Sequence, residues 1–176
     1  MSMSHPENPD QTAGETGHQT AVSNGTIVTL TAAVAVAIGL SFGAVTQDDA
    51  FISFRYAENL VAGHGLVFNP GEWVEGYTNL LWTLLIAGVL ALGGEPVIAT
   101  TVMGLLCLMG VIVATWRLGN EDWLGRAAII GAPILVAADA QLILESVEGL
   151  ETALFAFLVT LGTRSALLGQ KRGGSL

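Results

Sequence analysis

The chain has little charge and almost no lysine or cysteine, and each shortage excludes a class of protein. Charged residues make up 12% of the 176 positions, and Lys171 is the single lysine, whereas a soluble domain carries about 25% charged residues. One cysteine, Cys107, excludes an internal disulfide and a metal cage built from cysteines. With a net charge of −9, the chain is not expected to bind nucleic acid.

What the chain does contain is apolar sequence in long uninterrupted runs. Hydrophobic residues make up 52% and the mean hydropathy is +0.62. Residues 26–46 and 96–116 carry no charge, and each run is long enough to cross a bilayer of about 30 Å at about 1.5 Å per residue. A cleaved signal peptide is the rival interpretation of the first run, but the basic n-region is missing. The pattern predicts an all-α polytopic membrane protein.

We predict five segments along the chain. A disordered polar tail (1–25) precedes the first transmembrane helix (26–46) and a polar external loop (47–79). A re-entrant or spanning helix and further transmembrane helices follow (80–168), before a basic cytoplasmic tail (169–176). The run at 80–92 is short, so it fits a re-entrant helix as well as a full span.

The basic residues orient these segments, because cytoplasmic loops are enriched in Lys and Arg. Five of the six basic residues follow residue 116: Arg117, Arg126, Arg164, Lys171 and Arg172. If they are cytoplasmic, the first span delivers the loop to the outer face of the cytoplasmic membrane. This topology requires that 80–92 enters the membrane without crossing it.

The loop at 47–79 is predicted to contain a surface helix and a short β-hairpin. Asp48 or Asp49 can cap a helix that begins at Ala50. Its apolar residues recur at helical spacing, which indicates an amphipathic helix on the membrane surface, and Gly63 ends it. Residues 66–74 are predicted to be two short strands around a Pro-Gly turn.

Two groups of acidic residues are candidates for function. Asp48 and Asp49 are adjacent at the mouth of a span, where carboxylates are costly unless they serve a function; helix capping is the alternative. The second group lies between apolar runs at 127–138 and 152–163, which predict a helical hairpin with an acidic tip: Asp139, Glu145, Glu148 and Glu151. A solvated loop tip is the alternative for Glu145 and Glu151.

The loop also resembles a known family. The carrying residues are DDAFISFRYA (48–57), NL (59–60), GHGLVFNPGE (63–72), EGYTN (75–79) and LW (81–82), with GLETALF (149–155) as a second motif. They are similar to the first external loop and second motif of GT-C glycosyltransferases, a group that includes the mycobacterial terminal arabinofuranosyltransferases and, more distantly, protein O-mannosyltransferases and aminoarabinose transferases. The resemblance implies a GT-C-like N-terminal transmembrane module.

That resemblance implies a specific reaction. The family transfers a sugar from a polyprenyl-phosphate donor to an acceptor hydroxyl outside the cytoplasmic membrane. An aspartate of the loop acts as general base on the hydroxyl, which implicates Asp48 or Asp49, with the family pattern favouring the first. Arg55 is the candidate for stabilising the phosphate leaving group; an ion pair with Glu58 is the alternative.

The remaining candidates would bind substrate. Glu75, Tyr77 and Asn79 are suited to hydrogen bonding with sugar hydroxyls. Glu148 and Glu151, from the second acidic group, are further candidates. Tyr77 has an alternative role as an interfacial anchor, as do Trp73 and Trp82. Carboxylates can also hold a divalent cation, but no spacing identifies a metal site.

Family members have more spans than this chain. We therefore expect either one part of a larger enzyme, inactive alone, or a split enzyme completed by a second chain. The competing hypothesis is a non-catalytic membrane protein, such as a lipid carrier or transporter component. A transporter predicts internal repeats, and the sequence shows none.

Overall fold

The computed structural model describes residues 9–43, 45–120 and 126–173, and every regular element within them is helical. In chain order the helices are α1 (Pro9–Ser41), α2 (Ala50–Val61), α3 (Leu80–Ala91), α4 (Pro96–Gly119), α5 (Arg126–Ala137), α6 (Ala140–Glu145) and α7 (Thr152–Gly173). The predicted all-α class is confirmed for this part of the chain.

Three helices are long and apolar enough to cross a membrane. The candidate spans are Asn24–Ser41, Pro96–Gly119 and Thr152–Gln170, whereas Leu80–Ala91 and Ala127–Ala137 are shorter apolar helices. Large apolar side chains on the three spans remain exposed: among them are Leu30, Val34, Leu40, Ile98, Val102, Leu106, Phe155, Leu158 and Val159. Such a surface fits lipid better than water, in agreement with the predicted membrane protein.

Helix α1 begins earlier than the sequence predicts. It starts at Pro9, so residues 9–25 continue the first apolar run as helix instead of forming a disordered tail. Propagation of a helix costs far less than nucleation, and proline is well tolerated at the first helical position. The apolar run thus supplies the nucleus from which the polar residues before it extend.

Helix α4 is the centre of the bundle, with α1, α5 and α7 packed around it. Its residues Leu105, Leu108 and Ile112 form a buried core with side chains from α1, α5 and the α6 region: Val28, Ala32, Ala35, Ala137, Ile143 and Val147. The predicted hairpin of 127–138 and 152–163 is different in detail, because α5 and α7 pack mainly on α4 instead of on each other.

The helix directions sort the charges between the two ends of the bundle. Helix α1 is antiparallel to α4, since Gly25 lies against Trp116 and Gly39 against Leu105. Helix α7 is parallel to α4: Leu154 packs in the same cluster as Val97, and Phe157 lies against Gly110. The two described acidic groups consequently lie at one end, which we call the acidic end, and Arg117 and Arg164 at the other.

Helix α3 stays at the acidic end. Trp82, in its first turn, donates its indole N–H to the Gly149 carbonyl at 2.9 Å, and Thr100, near the start of α4, also packs against Gly149. Both helices therefore begin at the same level of the bundle. The re-entrant character of 80–92 stays a prediction.

The predicted β-hairpin is wrong: residues 66–74 form a loop without strands. The Pro-Gly turn is present, with Glu72 N donating to Asn69 O at 3.1 Å and Gly71 at φ 92°. The residues on either side of the turn do not pair as strands, because a side chain of α2 donates hydrogen bonds to the backbone carbonyls of the loop. Asn59 Nδ2 donates to Val67 O and Phe68 O at 2.8 and 2.9 Å.

The buried face of α2 also differs from the amphipathic prediction. Phe54 and Ala57 are buried as expected, against Trp82 and Ile86 of α3. Phe51 and Val61, by contrast, are about half exposed. Polar residues take their place on the buried face: Ser53, Tyr56 and Asn59. These side chains anchor the loop, so α2 is a structural support for the site as well as a surface helix.

Candidate functional site

Two adjoining cavities lie at the acidic end. The first, the polar cavity, has a volume of about 330 Å³ and is lined by Asp49, Ile52, Ser53, Gly76, Tyr77, Thr78, Asn79, Leu150, Glu151 and Thr152. The second, the apolar groove, measures about 410 Å³ and runs between α3 and α7 along Leu80, Leu81, Trp82, Leu154, Phe155 and Leu158. They share Thr78, Asn79, Glu151 and Thr152, so the polar cavity and the apolar groove adjoin.

Gly149 is the residue that brings the two sequence motifs together. Its φ of +90° is open mainly to glycine, and a Cβ there would lie 3.0 Å from the Cβ of Ala50. Its carbonyl accepts the Trp82 bond described above, and Gln47 N donates to the neighbouring Glu148 O at 3.0 Å. The second motif is thereby docked directly against the Asp48-Asp49 segment.

Asn79 is the hub of a hydrogen-bond network in the polar cavity. Its Nδ2 donates to Glu151 Oε2 at 2.8 Å and to Ser53 Oγ at 3.0 Å. Its Oδ1 accepts from Thr83 Oγ1 at 3.0 Å. A side chain held from α2 and α3 in this way fixes the position of the Glu151 carboxylate, so Asn79 acts as a positioning residue.

The two candidate catalytic aspartates are placed differently. Both are exposed, but Asp49 lines the polar cavity and Asp48 does not. The capping prediction is wrong: Asp49 occupies the N-cap position with helical φ and ψ of −66° and −24°, and its side chain makes no cap hydrogen bond. Capping therefore does not account for either carboxylate.

The other predicted substrate-binding residues divide into two groups. Tyr77, Asn79 and Glu151 line the polar cavity, and the Tyr77 ring packs edge-on against Tyr56 at 5.1 Å between centroids. Glu75 is exposed and not part of that lining. Glu148 is buried below the surface. The site thus brings together three of the five residues.

Arg55 lies outside both cavities. Its guanidinium is 3.8 Å from Glu58 in a half-exposed ion pair, and its Nε donates to Phe68 O at 3.2 Å. The structure therefore places it in the ion pair that the sequence left as the alternative. Within the described residues, no lysine or arginine lines either cavity, and no group of three potential metal ligands is present.

The sequence analysis missed three contributors to the site. Ser53 was hidden within an apolar helix, although a polar residue next to Phe54 on the buried face was a usable signal. Trp82, interpreted as a possible interfacial anchor, is 1% exposed and holds the Gly149 carbonyl. Thr152 lines both cavities and donates to Glu145 Oε2 at 3.0 Å.

Comparison with known proteins supports the resemblance of the motifs. Over 99 residues, 51% of this chain, the sequence is 35% identical to the terminal beta-(1->2)-arabinofuranosyltransferase of Mycobacterium tuberculosis. It is 50% identical over 40 residues, 23% of this chain, to the protein of the same name from Corynebacterium glutamicum. The chain is similar to terminal arabinofuranosyltransferases.

The similarity has a limited extent. The matched stretch covers 16% of the mycobacterial arabinofuranosyltransferase and 6% of the corynebacterial one. No family model matches the chain, and no solved structure matches it. The comparison therefore supports a membrane glycosyltransferase in general terms. It does not identify the sugar donor or the acceptor.

Glu148, the residue directly before the second motif, is a buried carboxylate. It is 6% exposed, and its Oε2 has no hydrogen-bond partner within the described part of the chain. Burial raises the pKa of Glu148 above its ordinary value, and repulsion from Glu145 raises it further. Its ionisation therefore opposes folding.

Replacing Glu148 by Gln is expected to stabilise the protein increasingly as the pH rises. Because the folded state holds this proton more tightly than the unfolded state, the wild type loses stability from its ordinary pKa of 4.5 up through the raised value. We expect a higher Tm than that of the wild type at neutral pH and a smaller difference at pH 4. Thermal unfolding in nanodiscs between pH 4 and pH 8 measures it.

Glu75→Gln is the matched control, because Glu75 is exposed. It should leave Tm unchanged across the same pH range. A Glu148→Gln gain that is the same at pH 4 and pH 8 would show that ionisation of Glu148 is not the cause.

Proposed function

We propose that this chain forms the catalytic-loop region of a membrane glycosyltransferase that uses a polyprenyl-phosphate sugar donor. The single observation that carries the proposal is the junction of the polar cavity, lined by Asp49 and Glu151, with the apolar groove. A lipid-linked sugar has the same two parts, a polar head and a long apolar tail. The similarity to terminal arabinofuranosyltransferases makes an arabinofuranosyl donor the first to test.

Asp49 is the proposed general base. As the acceptor hydroxyl attacks the anomeric carbon, its proton passes to the Asp49 carboxylate. The new bond joins the acceptor oxygen to the anomeric carbon, and the bond from that carbon to the phosphate oxygen breaks with its electron pair. Asp49 suits this role because it lines the cavity and its carboxylate is not used for capping.

Glu151 and Tyr77 are proposed to hold the sugar, with Asn79 as a positioning residue. A carboxylate accepts and a phenol both donates and accepts hydrogen bonds with sugar hydroxyls, and all three residues line the polar cavity. Asn79 orients Glu151 through the 2.8 Å bond. Positioning of this kind lowers the barrier by holding reactants in a productive geometry.

The leaving phosphate requires positive charge that the described lining does not supply. The lining of the two cavities within the described ranges contains no lysine or arginine, and Arg55 is paired with Glu58. We therefore propose that the charge comes from a further protein segment, a partner chain or a divalent cation. Each of these can stabilise developing negative charge.

The proposed orientation places the acidic end outside the cytoplasmic membrane. Arg117 and Arg164 lie together at the opposite end, and positive residues are enriched on the cytoplasmic side. A donor reaching the polar cavity would then be in the outer leaflet, with its tail in the apolar groove.

A transfer assay with native membranes tests the proposed function. Membranes containing the protein and its natural partners should transfer labelled arabinofuranose from a polyprenyl-phosphate donor to endogenous acceptor. Membranes from a deletion strain should not, and the complemented strain should recover the activity. Transfer from a nucleotide-sugar donor alone would overturn the donor assignment, whereas donor binding without any transfer would favour the lipid-carrier alternative.

A further inference from the structure

A third cavity lies at the end of the bundle opposite the polar cavity, between α4 and α7. Its volume is about 280 Å³, and two of its lining residues are Arg117 and Arg164. The rest of its lining is apolar or small: Met109, Gly110, Val113, Ala114, Phe157 and Leu161. We call it the arginine cavity.

The order of residues along the two helices gives the arginine cavity a direction. On α4, Met109 to Ala114 precede Arg117, and on the parallel α7, Phe157 and Leu161 precede Arg164. Both guanidinium groups therefore belong to the end of the bundle, and the apolar lining lies one or two turns towards its middle. Phe157 packs directly on the α4 backbone, because a Cβ at Gly110 would lie 2.7 Å from its ring.

This arrangement matches one class of ligand. Arginine forms bidentate hydrogen bonds with phosphate, and basic pockets between transmembrane helices bind anionic headgroups. Both helices are candidate spans, so the apolar lining lies at the depth of acyl chains. The chain has a net charge of −9, so a cavity lined by two arginines is an exception to its acidic composition.

We propose that the arginine cavity binds an anionic phospholipid. Arg117 and Arg164 contact its phosphate group, and the start of one acyl chain lies against Phe157 and Leu161. The proposal is independent of the sugar-transfer function, since it uses neither the polar cavity nor the apolar groove. It assigns a lipid site to the leaflet that contains the arginine end.

Lipid titration by native mass spectrometry tests this site. The full-length protein in detergent is titrated with phosphatidylglycerol or phosphatidylcholine, and bound lipid is counted. We expect about tenfold tighter binding of phosphatidylglycerol, equivalent to about 1.4 kcal/mol, and the loss of this preference in the double variant R117Q/R164Q. Arg55→Gln, which removes a basic residue elsewhere, should keep the preference.

A second variant leaves the arginines in place. Leu161→Trp adds volume to the apolar lining and should weaken binding of both lipids about tenfold. This variant still tests the site if R117Q/R164Q does not fold. Glu121 and Asp122 follow Arg117 in the sequence, and E121Q/D122N should bind phosphatidylglycerol at least as tightly as the wild type.

Three kinds of result would overturn the proposal. One is that a variant has no effect: the phosphatidylglycerol preference persists in R117Q/R164Q, or lipid binding is unchanged in Leu161→Trp. Another is displacement of the lipid by millimolar inorganic phosphate, which would indicate a simple anion site. The third is weaker phosphatidylglycerol binding in E121Q/D122N, which would place the lipid contact on other groups. None of these results depends on whether the protein transfers sugar.

Discussion

Asp49→Asn is expected to reduce sugar transfer by about 10²- to 10⁴-fold, the usual contribution of a positioned general base. The asparagine amide retains the size and much of the hydrogen bonding of the carboxylate. It is not basic enough to take the proton from the hydroxyl group of the acceptor. Because the Asp49 side chain makes no cap hydrogen bond, the substitution should leave expression and membrane insertion intact. Initial rates of transfer from the polyprenyl-phosphate donor, in native membranes at matched protein levels, measure the effect.

Asp48→Asn and Glu58→Gln are the matched controls. Asp48 is adjacent in sequence but does not line the polar cavity, so we expect less than about a tenfold loss. Glu58 lies on the same helix in an exposed ion pair, which contributes little to stability, and its variant should be close to wild type. If Asp48→Asn abolishes transfer and Asp49→Asn does not, the base is Asp48, the residue that the family pattern favours.

The choice between the two aspartates shows where sequence reasoning reaches its limit. Two adjacent carboxylates before a helix have the same composition, spacing and capping potential, so no pattern separates them. The structure separates them through the path of the chain: the backbone of Gln47 is tied to Glu148 O at 3.0 Å, and of the next two residues only Asp49 reaches the cavity lining. That hydrogen bond joins residues about a hundred positions apart, and the spacing of apolar residues along the sequence does not predict contacts of this range.

Long apolar runs were the most predictable part of the fold. A charge-free run has one stable state in a bilayer, because its backbone groups must be paired internally, and α1 and α4 follow from this rule. The loop at 66–74 was not predictable by the same means. Its strand-like residues and Pro-Gly turn are present, but Asn59 from α2 takes the carbonyls that a partner strand would have used.

A second close contact depends on a glycine, namely the contact of Gly104 in α4 with Ser146. Gly104→Ala is expected to destabilise the bundle by about 3 kcal/mol, the upper part of the usual range for overpacking, and to lower Tm by about 6–12 °C. A Cβ at Gly104 would clash with the carbonyl oxygen of Ser146. The obstacle is backbone, so α4 and the segment before the second motif must separate. Thermal unfolding in nanodiscs measures the loss.

Gly88→Ala is the control that isolates this contact, since Gly88 is also a glycine inside a helix but a Cβ there has nothing within 4 Å. Alanine has the higher helix propensity by about 1 kcal/mol, so Gly88→Ala should keep or raise Tm while Gly104→Ala lowers it. Opposite signs from the same chemical change would establish that α4 must lie against the Ser146 carbonyl. Equal effects would show that the contact is not required, and the docking of the second motif against Asp49 would then rest on Gly149, Trp82 and the hydrogen bond from Gln47 N to Glu148 O.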